Sequence, residues 1–349
     1  MLTRRKLPFA LLGGGAALNA SYLESGITDV IGVKVGHYTL KSRPTGCTVL
    51  LFEKGATAGV DVRGAAPGTR ETDLLDPVNT IQEVHAILLS GGSAYGLDAA
   101  GGVMRYLEEK GIGFKIGAGV VPIVPAAILY DLGFGGEWSV RPNAESGYKA
   151  CLKASSNQVE EGCVGAGAGA TVGKMFGAEF AMKSGIGTAS IQVGKTGLCV
   201  GAIVAVNAVG DVYDRQGKII AGARNLKSGG FMNTMERMRN GELVEAADAS
   251  AGRNTTIGVI ATNAEFDKAQ MSKIARMAHD GLARTINPVH TPSDGDTLFA
   301  VATGMSKVKV NHGAIGALAA EVVAEAVIRA VRKARAMGGL PSAGQPGIK

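Results

Sequence analysis

Aromatic side chains are scarce in this chain and make up only 5% of its 349 residues. The net charge is +6, and no basic stripe interleaved with aromatic residues runs through the middle of the sequence. Nucleic-acid-binding proteins use such stripes, because phosphates attract Lys and Arg while bases stack on aromatic rings. The composition therefore predicts no nucleic-acid partner.

Cysteine is also rare, and the sequence lacks the spacings that metal and redox sites require. The four cysteines form no CxxC pair, and the five histidines form no HxxxH or HExxH pair. Structural zinc sites and thioredoxin-type redox sites depend on such spacings. The spacings therefore give little support for a metal site.

Long hydrophobic runs are absent as well, and both ends of the chain differ from its body. Three basic residues precede an apolar run over 7–18 that is too short to span a membrane. Residues 1–23 are therefore predicted to be an export signal or a disordered extension. We predict a cytoplasmic protein, with export through this twin-arginine-like N-terminus as the alternative. The Gly/Pro-rich residues 338–349 predict a disordered tail, which leaves 24–337 as a single domain.

What is abundant is glycine, with 52 residues scattered through short apolar runs rather than in a Gly-X-Y repeat. Such glycines mark turns between secondary-structure elements. Because strand-like and helix-like patterns come in clusters and do not alternate strictly, the fold class is predicted to be α+β, with a two-layer sheet core flanked by helices. The predicted strands are 48–52, 86–89, 189–193, 199–206, 255–262, 296–303 and 308–310. The predicted helices are 94–110, 266–286 and one after Asn311, and 222–253 is predicted to be a mobile, exposed connection.

The glycine-rich segment 165–174 invites a nucleotide-binding interpretation but departs from both common patterns. A phosphate-binding loop would need glycine in place of Ala168 and Ser or Thr in place of Met175. A dinucleotide-binding fingerprint can be placed at Gly165, but the acidic residue expected about twenty residues later is missing. A nucleotide-binding enzyme is therefore kept only as an alternative.

Six ordered sequence blocks resemble one enzyme family. They are GITDV with VGHY (26–38), LSGGSAYGL (89–97), VGAG to GK (164–174), VNAVG (206–210), NTT (254–256) and HTPSDGDTLFA (290–300). Through these blocks the chain resembles the DmpA-type aminopeptidases and amidases, which are self-processing N-terminal-nucleophile hydrolases. It is also similar to nylon-oligomer hydrolases and pantetheine-type hydrolases. The resemblance covers residues 26–331 and implies a four-layer αββα sandwich.

The resemblance implies that the chain cuts its own backbone between Asn254 and Thr255. Two chains, 1–254 and 255–349, then stay folded together, and Thr255 becomes an N-terminal nucleophile. A bond before a hydroxyl residue can pass its acyl group from nitrogen to oxygen, after which water releases the ester. The freed α-amine, with an ordinary pKa of about 7.7–8.0, can then act as the base for the hydroxyl. Arg253 departs from the glycine often found before the Asn in this family, which leaves the rate of self-cleavage open.

The resemblance also implies a set of side chains around the nucleophile. Asn207 is expected to donate its amide to an oxyanion, and Lys174 to lower the pKa of the α-amine or to hold negative charge. Asp294 and Asp296 are expected to orient the ammonium group and the nucleophile and to bind a cationic substrate end. Their separate roles stay open at this point. Tyr130 is expected to lie near the substrate carbonyl.

The predicted activity is hydrolysis of a small peptide or amide by an aminopeptidase or amidase that needs no cofactor. The resemblance implies a homotetramer of processed pairs, and the sequence predicts no stable membrane span. L-Peptides, D-amino-acid amides, β-peptides and ω-amino amides all stay open as substrates. A non-catalytic binding protein with the same fold is a further alternative, although the complete set of site residues argues against it.

Overall fold

The computed structural model describes residues 26–242 and 253–343 of the chain. Within these ranges the strands are β1 Lys34–Thr39, β2 Gly46–Val62, β3 Thr69–Arg70, β4 Val84–Ser90, β5 Phe114–Ile116, β6 Gly119–Val121, β7 Ala126–Ile128, β8 Thr171–Val172, β9 Met182–Lys183, β10 Ile186–Gln192, β11 Cys199–Asn207, β12 Asp211–Tyr213, β13 Ile219–Ala221, β14 Thr255–Thr262, β15 Ile286–Asn287 and β16 Thr297–Ala302. The helices are α1 Ala99–Glu109, α2 Ala144–Leu152, α3 Thr234–Arg239, α4 Lys268–Thr285 and α5 His312–Arg332. The predicted N-terminal extension 1–23 lies outside the described residues.

Strand β2 is the longest strand and takes part in two sheets. Its first half pairs with β1 and β4, and its second half pairs with β16. The register between β2 and β4 shifts between Leu51 and Ala56, where the strand passes from one sheet to the other. One sheet has the order β1-β2-β4-β7-β3, and the other has the order β10-β11-β14-β16-β2. The two sheets are therefore joined through one continuous strand.

Alternating side chains on these strands build three apolar layers. In β11, Val200, Ala202 and Val204 face α4 and α5, whereas Ile203 and Ala205 face the other sheet. The two sheets pack on each other, with α4 and α5 outside one and α1 and α2 outside the other. This arrangement is a four-layer αββα sandwich, and it confirms the predicted fold class. None of the helices within the described ranges is long and apolar enough to cross a membrane.

The predicted elements agree with the structure wherever a long periodic pattern supports them. The strand predicted at 255–262 is β14, and the helix predicted after Asn311 is α5, which the Asn311 side chain caps. The helix predicted at 94–110 begins later, because a 3-10 turn occupies Ser93–Asp98. The strand predicted at 308–310 is wrong, because this segment joins no β-ladder and lies largely exposed at the surface.

The connection predicted at 222–253 is partly structured. Helix α3 forms within it and begins directly after its N-cap, Asn233, whose side chain accepts a hydrogen bond from the Glu236 N–H. Residues 243–252 lie outside the described ranges, so the mobility of that part stays a prediction. The sequence pattern missed α3 because the helix is short and polar, and the Asn cap contributes more to its start than any apolar periodicity.

The C-terminal segment also contains contacts that composition does not predict. The Lys183 N–H donates to the Pro341 carbonyl oxygen at 2.8 Å, and Ser342 forms a bridge with the same lysine. Pro341 and Ser342 therefore pack against β9, although the sequence predicts that they belong to a disordered tail. Residues 344–349 lie outside the described part of the chain.

Helices α1 and α2 approach so closely that their contact requires glycine. A Cβ on Gly102 would lie 1.6 Å from the Ala144 carbonyl oxygen, whereas a Cβ on Gly101 would meet nothing within 4 Å. We expect Gly102→Ala to lower the free energy of unfolding by about 1–3 kcal/mol, because the helices must move apart. The matched control Gly101→Ala should raise it by roughly 0.5–1 kcal/mol through helix propensity. Urea unfolding followed by circular dichroism measures both, and equal effects would contradict the close contact.

Candidate active site

Neighbouring strands bring the predicted site residues to one edge of the sheet. Asn207, the last residue of β11, pairs with Thr255, the first residue of β14, in an antiparallel ladder. Strand β16 runs parallel to β14, so the start of β16 reaches the same edge. The turn that leads into β16 carries Asp294 and Asp296, and Asn254 forms a bridge with Asp294. The sheet register therefore gathers residues that are far apart in the sequence.

The bond between Asn254 and Thr255 is buried at this edge, where the two residues are 0% and 2% exposed. The Asn254 carbonyl oxygen accepts a hydrogen bond from the Gly295 N–H at 2.9 Å and another from the Thr255 hydroxyl. A Cβ on Gly295 would lie 2.5 Å from the Ala66 carbonyl oxygen and 3.0 Å from Thr255 Oγ1, so this approach requires glycine. The Thr255 hydroxyl and the Gly295 N–H thus both contact the Asn254 carbonyl group, and the N–H polarises it.

Lys174 and Asn207 form the second part of the site. Lys174 Nζ donates to Asn207 Oδ1 at 2.9 Å and to the Arg253 carbonyl oxygen at 3.3 Å. Asn207 Nδ2 donates to the Tyr130 carbonyl oxygen at 3.0 Å and to the same Arg253 oxygen at 3.3 Å. The Thr171 N–H holds the Asn207 amide in this orientation by donating to Oδ1 at 3.0 Å. Two side-chain donors therefore converge on the backbone carbonyl that precedes the buried bond.

The two aspartates of the site have different partners. Asp296 accepts from the Thr256 N–H at 2.6 Å and lies 2.7 Å from His290 Nδ1. Asp294 accepts from the N–H and the hydroxyl of Thr291, at 2.9 and 2.6 Å. Each aspartate is 1% exposed. The site therefore holds two buried acidic groups on one turn.

Burial changes the protonation equilibria of Lys174 and Asp294. It lowers the pKa of Lys174 to about 7, although attraction to Asp294 opposes this shift. It raises the pKa of Asp294 to about 6, and the charge of Asp296 adds to the rise. The hydrogen bonds from Thr291 and the charge of Lys174 act in the opposite direction on Asp294. Both groups can therefore exchange protons near neutral pH, as acid–base catalysis requires.

A cavity of about 530 Å³ opens beside Lys174 and Arg253. Tyr130 lies on its wall, where its ring packs edge-to-face against Trp138 with 6.2 Å between ring centroids. The apolar part of the lining includes Phe134, Ala178, Ala181 and Leu340. The structure thus brings Tyr130 to the site, because the residue lines the cavity and its carbonyl oxygen accepts a hydrogen bond from Asn207 Nδ2.

The sequence predicts no role for three residues of the site, namely His290, Thr291 and Gly295. Their only signal is that they share the block 290–300 with the two aspartates. The sequence does not reveal that His290 adopts a left-handed backbone conformation with φ of +56°, or that its ring reaches Asp296. These features come from tertiary structure and not from a local pattern.

The glycine-rich segment 165–174 packs inside the protein. The N–H groups of Gly165 and Ala166 donate to the hydroxyls of Thr39 and Thr48, at 2.8 and 3.1 Å. Backbone donors that are used in this way are not available to hold a phosphate. The alternative of a nucleotide-binding enzyme is therefore not supported by this segment.

Comparison with known proteins places this geometry in a family. The sequence model of peptidase family S58 matches residues 25–343. The chain belongs to peptidase family S58. It is 43% identical over 342 residues to an uncharacterized aminopeptidase of Mycobacterium tuberculosis strain H37Rv, and the match covers 90% of this chain and 96% of that protein. It is 31% identical over 315 residues to the 6-aminohexanoate-oligomer endohydrolase of Kocuria sp. strain KY2, covering 87% and 85% of the two chains.

Solved structures share the fold of this S58 peptidase. A protein from Pyrococcus horikoshii OT3 has a TM-score of 0.66 at 27% identity, with 90% of this chain and 89% of that chain covered. The L-aminopeptidase D-Ala-esterase/amidase of Ochrobactrum anthropi, a variant of the Ntn hydrolase fold, has a TM-score of 0.66 at 21% identity, with 91% and 88% covered. The predicted resemblance is therefore confirmed. The S58 peptidase is an aminopeptidase-type hydrolase with an N-terminal-nucleophile-hydrolase-like fold.

The lowered pKa of Lys174 predicts a pH dependence of stability for this S58 peptidase. Between pH 7 and the ordinary lysine value of 10.5, the unfolded chain binds this proton more often than the folded chain does. Lys174 therefore makes the free energy of unfolding rise with pH in this range. We expect Lys174→Met to remove that rise, so that the stability of the parent relative to the variant grows from pH 7 upward.

Urea unfolding at several pH values measures this difference. Both chains should also carry Thr255→Ala, so that the backbone stays in one piece. A parent-to-variant difference that stays constant or shrinks as the pH rises would contradict the lowered pKa of Lys174.

Proposed function

We propose that this chain cuts itself between Asn254 and Thr255 and then uses Thr255 as an N-terminal nucleophile on small peptides or amides. The observation that supports this most directly is the Asn254 carbonyl group, which lies between the Thr255 hydroxyl and the Gly295 N–H. The relatives are consistent with amide substrates, since one is named an uncharacterized aminopeptidase and another a 6-aminohexanoate-oligomer endohydrolase.

Self-cleavage begins when Thr255 Oγ1 attacks the Asn254 carbonyl carbon. The negative charge that develops on the carbonyl oxygen is stabilised by the Gly295 N–H. The hydroxyl proton passes to the Thr255 nitrogen as the C–N bond breaks, which leaves Asn254 joined to Thr255 through an ester. Water hydrolyses the ester and yields the Asn254 carboxylate, the Thr255 hydroxyl and a free α-amine.

Turnover of a substrate uses that new amine as the base. It accepts the hydroxyl proton while Oγ1 attacks the substrate carbonyl, and the resulting ammonium donates to the leaving amine. Water then releases the acyl group from Oγ1. Asn207 Nδ2 and Lys174 Nζ hold the Arg253 carbonyl oxygen in the intact chain. Once the cut segment withdraws, both donors are available to the substrate oxyanion.

The cavity supports a small substrate. Its volume of about 530 Å³ and its mainly apolar wall suit a short chain with a few polar groups. The carboxyl groups of Asp294 and Asp296 supply negative charge for an ammonium group, either that of Thr255 or that of a substrate. We further propose that the processed pairs assemble into homotetramers, which native mass spectrometry tests.

The proposed nucleophile can be tested by substitution. The wild-type chain should yield two products, 1–254 and 255–349, whereas Thr255→Ala should stay intact and hydrolyse no amide. Thr256→Val is the matched control, because the Thr256 hydroxyl is buried without a hydrogen-bond partner among the described residues. We expect Thr256→Val to cleave as the wild type does. Intact mass spectrometry and N-terminal sequencing measure processing, and aminoacyl p-nitroanilides measure hydrolysis.

Two results would count against this proposal in different ways. A wild-type protein that hydrolyses amides as a single polypeptide would exclude Thr255 as an N-terminal nucleophile. A processed protein that hydrolyses none of the p-nitroanilides would favour the non-catalytic alternative for this panel of substrates.

The oxyanion role of Asn207 can be separated from its role in the fold. Asn207→Asp keeps the Oδ1 atom that accepts from the Thr171 N–H at 3.0 Å and from Lys174 at 2.9 Å. It removes the amide donor and adds negative charge where the oxyanion develops. We expect the kcat of the processed enzyme to fall about 10²–10³-fold. Steady-state kinetics normalised to the processed fraction measure this, and an unchanged kcat would rule out the proposed donor.

A further inference from the structure

His290 makes the hydrogen bonding of the two site aspartates unequal. Asp296 Oδ2 accepts from the His290 backbone N–H at 3.2 Å and lies 2.7 Å from His290 Nδ1. The other oxygen of Asp296 accepts from the Thr256 N–H at 2.6 Å. Within the described residues, the hydrogen bonds to Asp294 reach Oδ2 alone, and both come from Thr291. Both oxygens of Asp296 are therefore engaged, and a histidine side chain provides one of the contacts.

The position of His290 is built into the fold. Its φ of +56° lies in the left-handed region, which side chains rarely adopt, and this conformation lets both the backbone N–H and the ring reach one carboxylate. The ring packs edge-to-face on His279 of α4, with 4.8 Å between centroids and 66° between planes. His279 Nε2 lies 3.0 Å from the Asp61 carbonyl oxygen of β2. An unfavourable backbone conformation beside reacting groups points to a role in the site.

The unequal hydrogen bonding affects which of the two aspartates holds a proton. Two neighbouring carboxylates in a buried site repel each other, so the pair retains a proton more readily than a single acid does. Hydrogen bonds donated to a carboxylate stabilise its ionised form. Because Asp296 receives donors on both oxygens, the retained proton is more stable on Asp294.

We infer that His290 is a positioning residue that keeps Asp296 ionised, so that the proton exchanged by the aspartate pair resides on Asp294. For its catalytic meaning this inference rests on the proposed function. Asp296 then fixes the head of β14 through the Thr256 N–H, next to the nucleophile. Asp294 is left as the group that gives or accepts a proton at the site.

Other charged or titratable groups near His290, Asp294 and Asp296 come from α4, from the end of β2 and from the segment with Lys174. Burial lowers the pKa of His279 to about 4, so this residue stays neutral in the working range and adds no charge beside His290. Four such groups act on these three residues or on their direct neighbours. They are His279, Asp61, Arg63 and Lys174.

Infrared difference titration reads the protonation of carboxyl groups directly and requires no catalysis. The full chain carrying Thr255→Ala should show a protonated carboxyl band that titrates near pH 6. We expect this band to disappear in Asp294→Asn and to persist in Asp296→Asn, at a lower pH because the like charge is gone. A band that is lost in Asp296→Asn and kept in Asp294→Asn would overturn the inference.

Substitutions at His290 test whether its side-chain donor decides the assignment. His290→Asn keeps a donor near the position of Nδ1, and His290→Leu removes it. We expect His290→Asn to keep the titration of the parent chain. His290→Leu should gain a further protonated carboxyl signal, which should disappear when Asp296→Asn is added. His312→Asn, at the first residue of α5, is the matched control and should leave the titration unchanged. Identical titrations of the Asn and Leu variants would overturn the role of the donor.

Rates of cleavage at the Asn254–Thr255 bond connect the inference to the reaction. In chains that retain Thr255, we expect His290→Leu to slow cleavage about tenfold and to shift its pH dependence, whereas His290→Asn preserves both. An unchanged rate and pH profile in the Leu variant would overturn the positioning role. If no chain cleaves, the proposed function fails, while the infrared titration still decides where the proton resides.

Discussion

The antiparallel pairing of Asn207 with Thr255 is the constraint on which the rest of the site depends. Since β14 also pairs with β16, this register brings the turn with Gly295 against the Asn254 carbonyl group. A slip of one residue would turn every side chain of β14 to the opposite face of the sheet. Thr256, whose hydroxyl has no partner among the described residues, would then take the place of Thr255. The chemistry of the site is thus fixed by strand register.

Charge balance is the second requirement of this buried edge. Lys174, Asp294 and Asp296 share one site, and isolated charges are costly there. With the exchanged proton on Asp294, as inferred above, one ammonium faces one carboxylate below about pH 6. A separate ion pair joins Arg43 to Asp131, which lines the cavity; the two groups are 2.9 Å apart and fully buried. Asp131 also accepts the Gly92 N–H at 2.9 Å, so the segment after Tyr130 is held on both sides.

The sequence predicts those parts of the molecule in which local pattern and tertiary structure agree. The β-branched run 255–262 becomes β14, and the apolar face after Asn311 becomes α5. The family blocks identify Lys174, Asn207 and the aspartates, and the structure brings them together. The segment 308–310 shows the opposite case, because a short apolar run does not reveal whether a partner strand lies beside it.

The features that the sequence does not predict depend on contacts between distant segments. The role inferred for His290 depends on its left-handed backbone and on the ring of His279, neither of which has a signature in the sequence. Strand β14 itself lies between β11, which precedes the proposed cut, and β16, which follows it. Both ladders must therefore form before the Asn254–Thr255 bond meets its chemical partners, so the proposed cut would take place only in the folded chain. Under the proposed self-cleavage, denaturing the processed molecule would separate two polypeptides that no peptide bond joins. Because their reassociation would be bimolecular, the lifetime of the processed form would be governed by its unfolding rate.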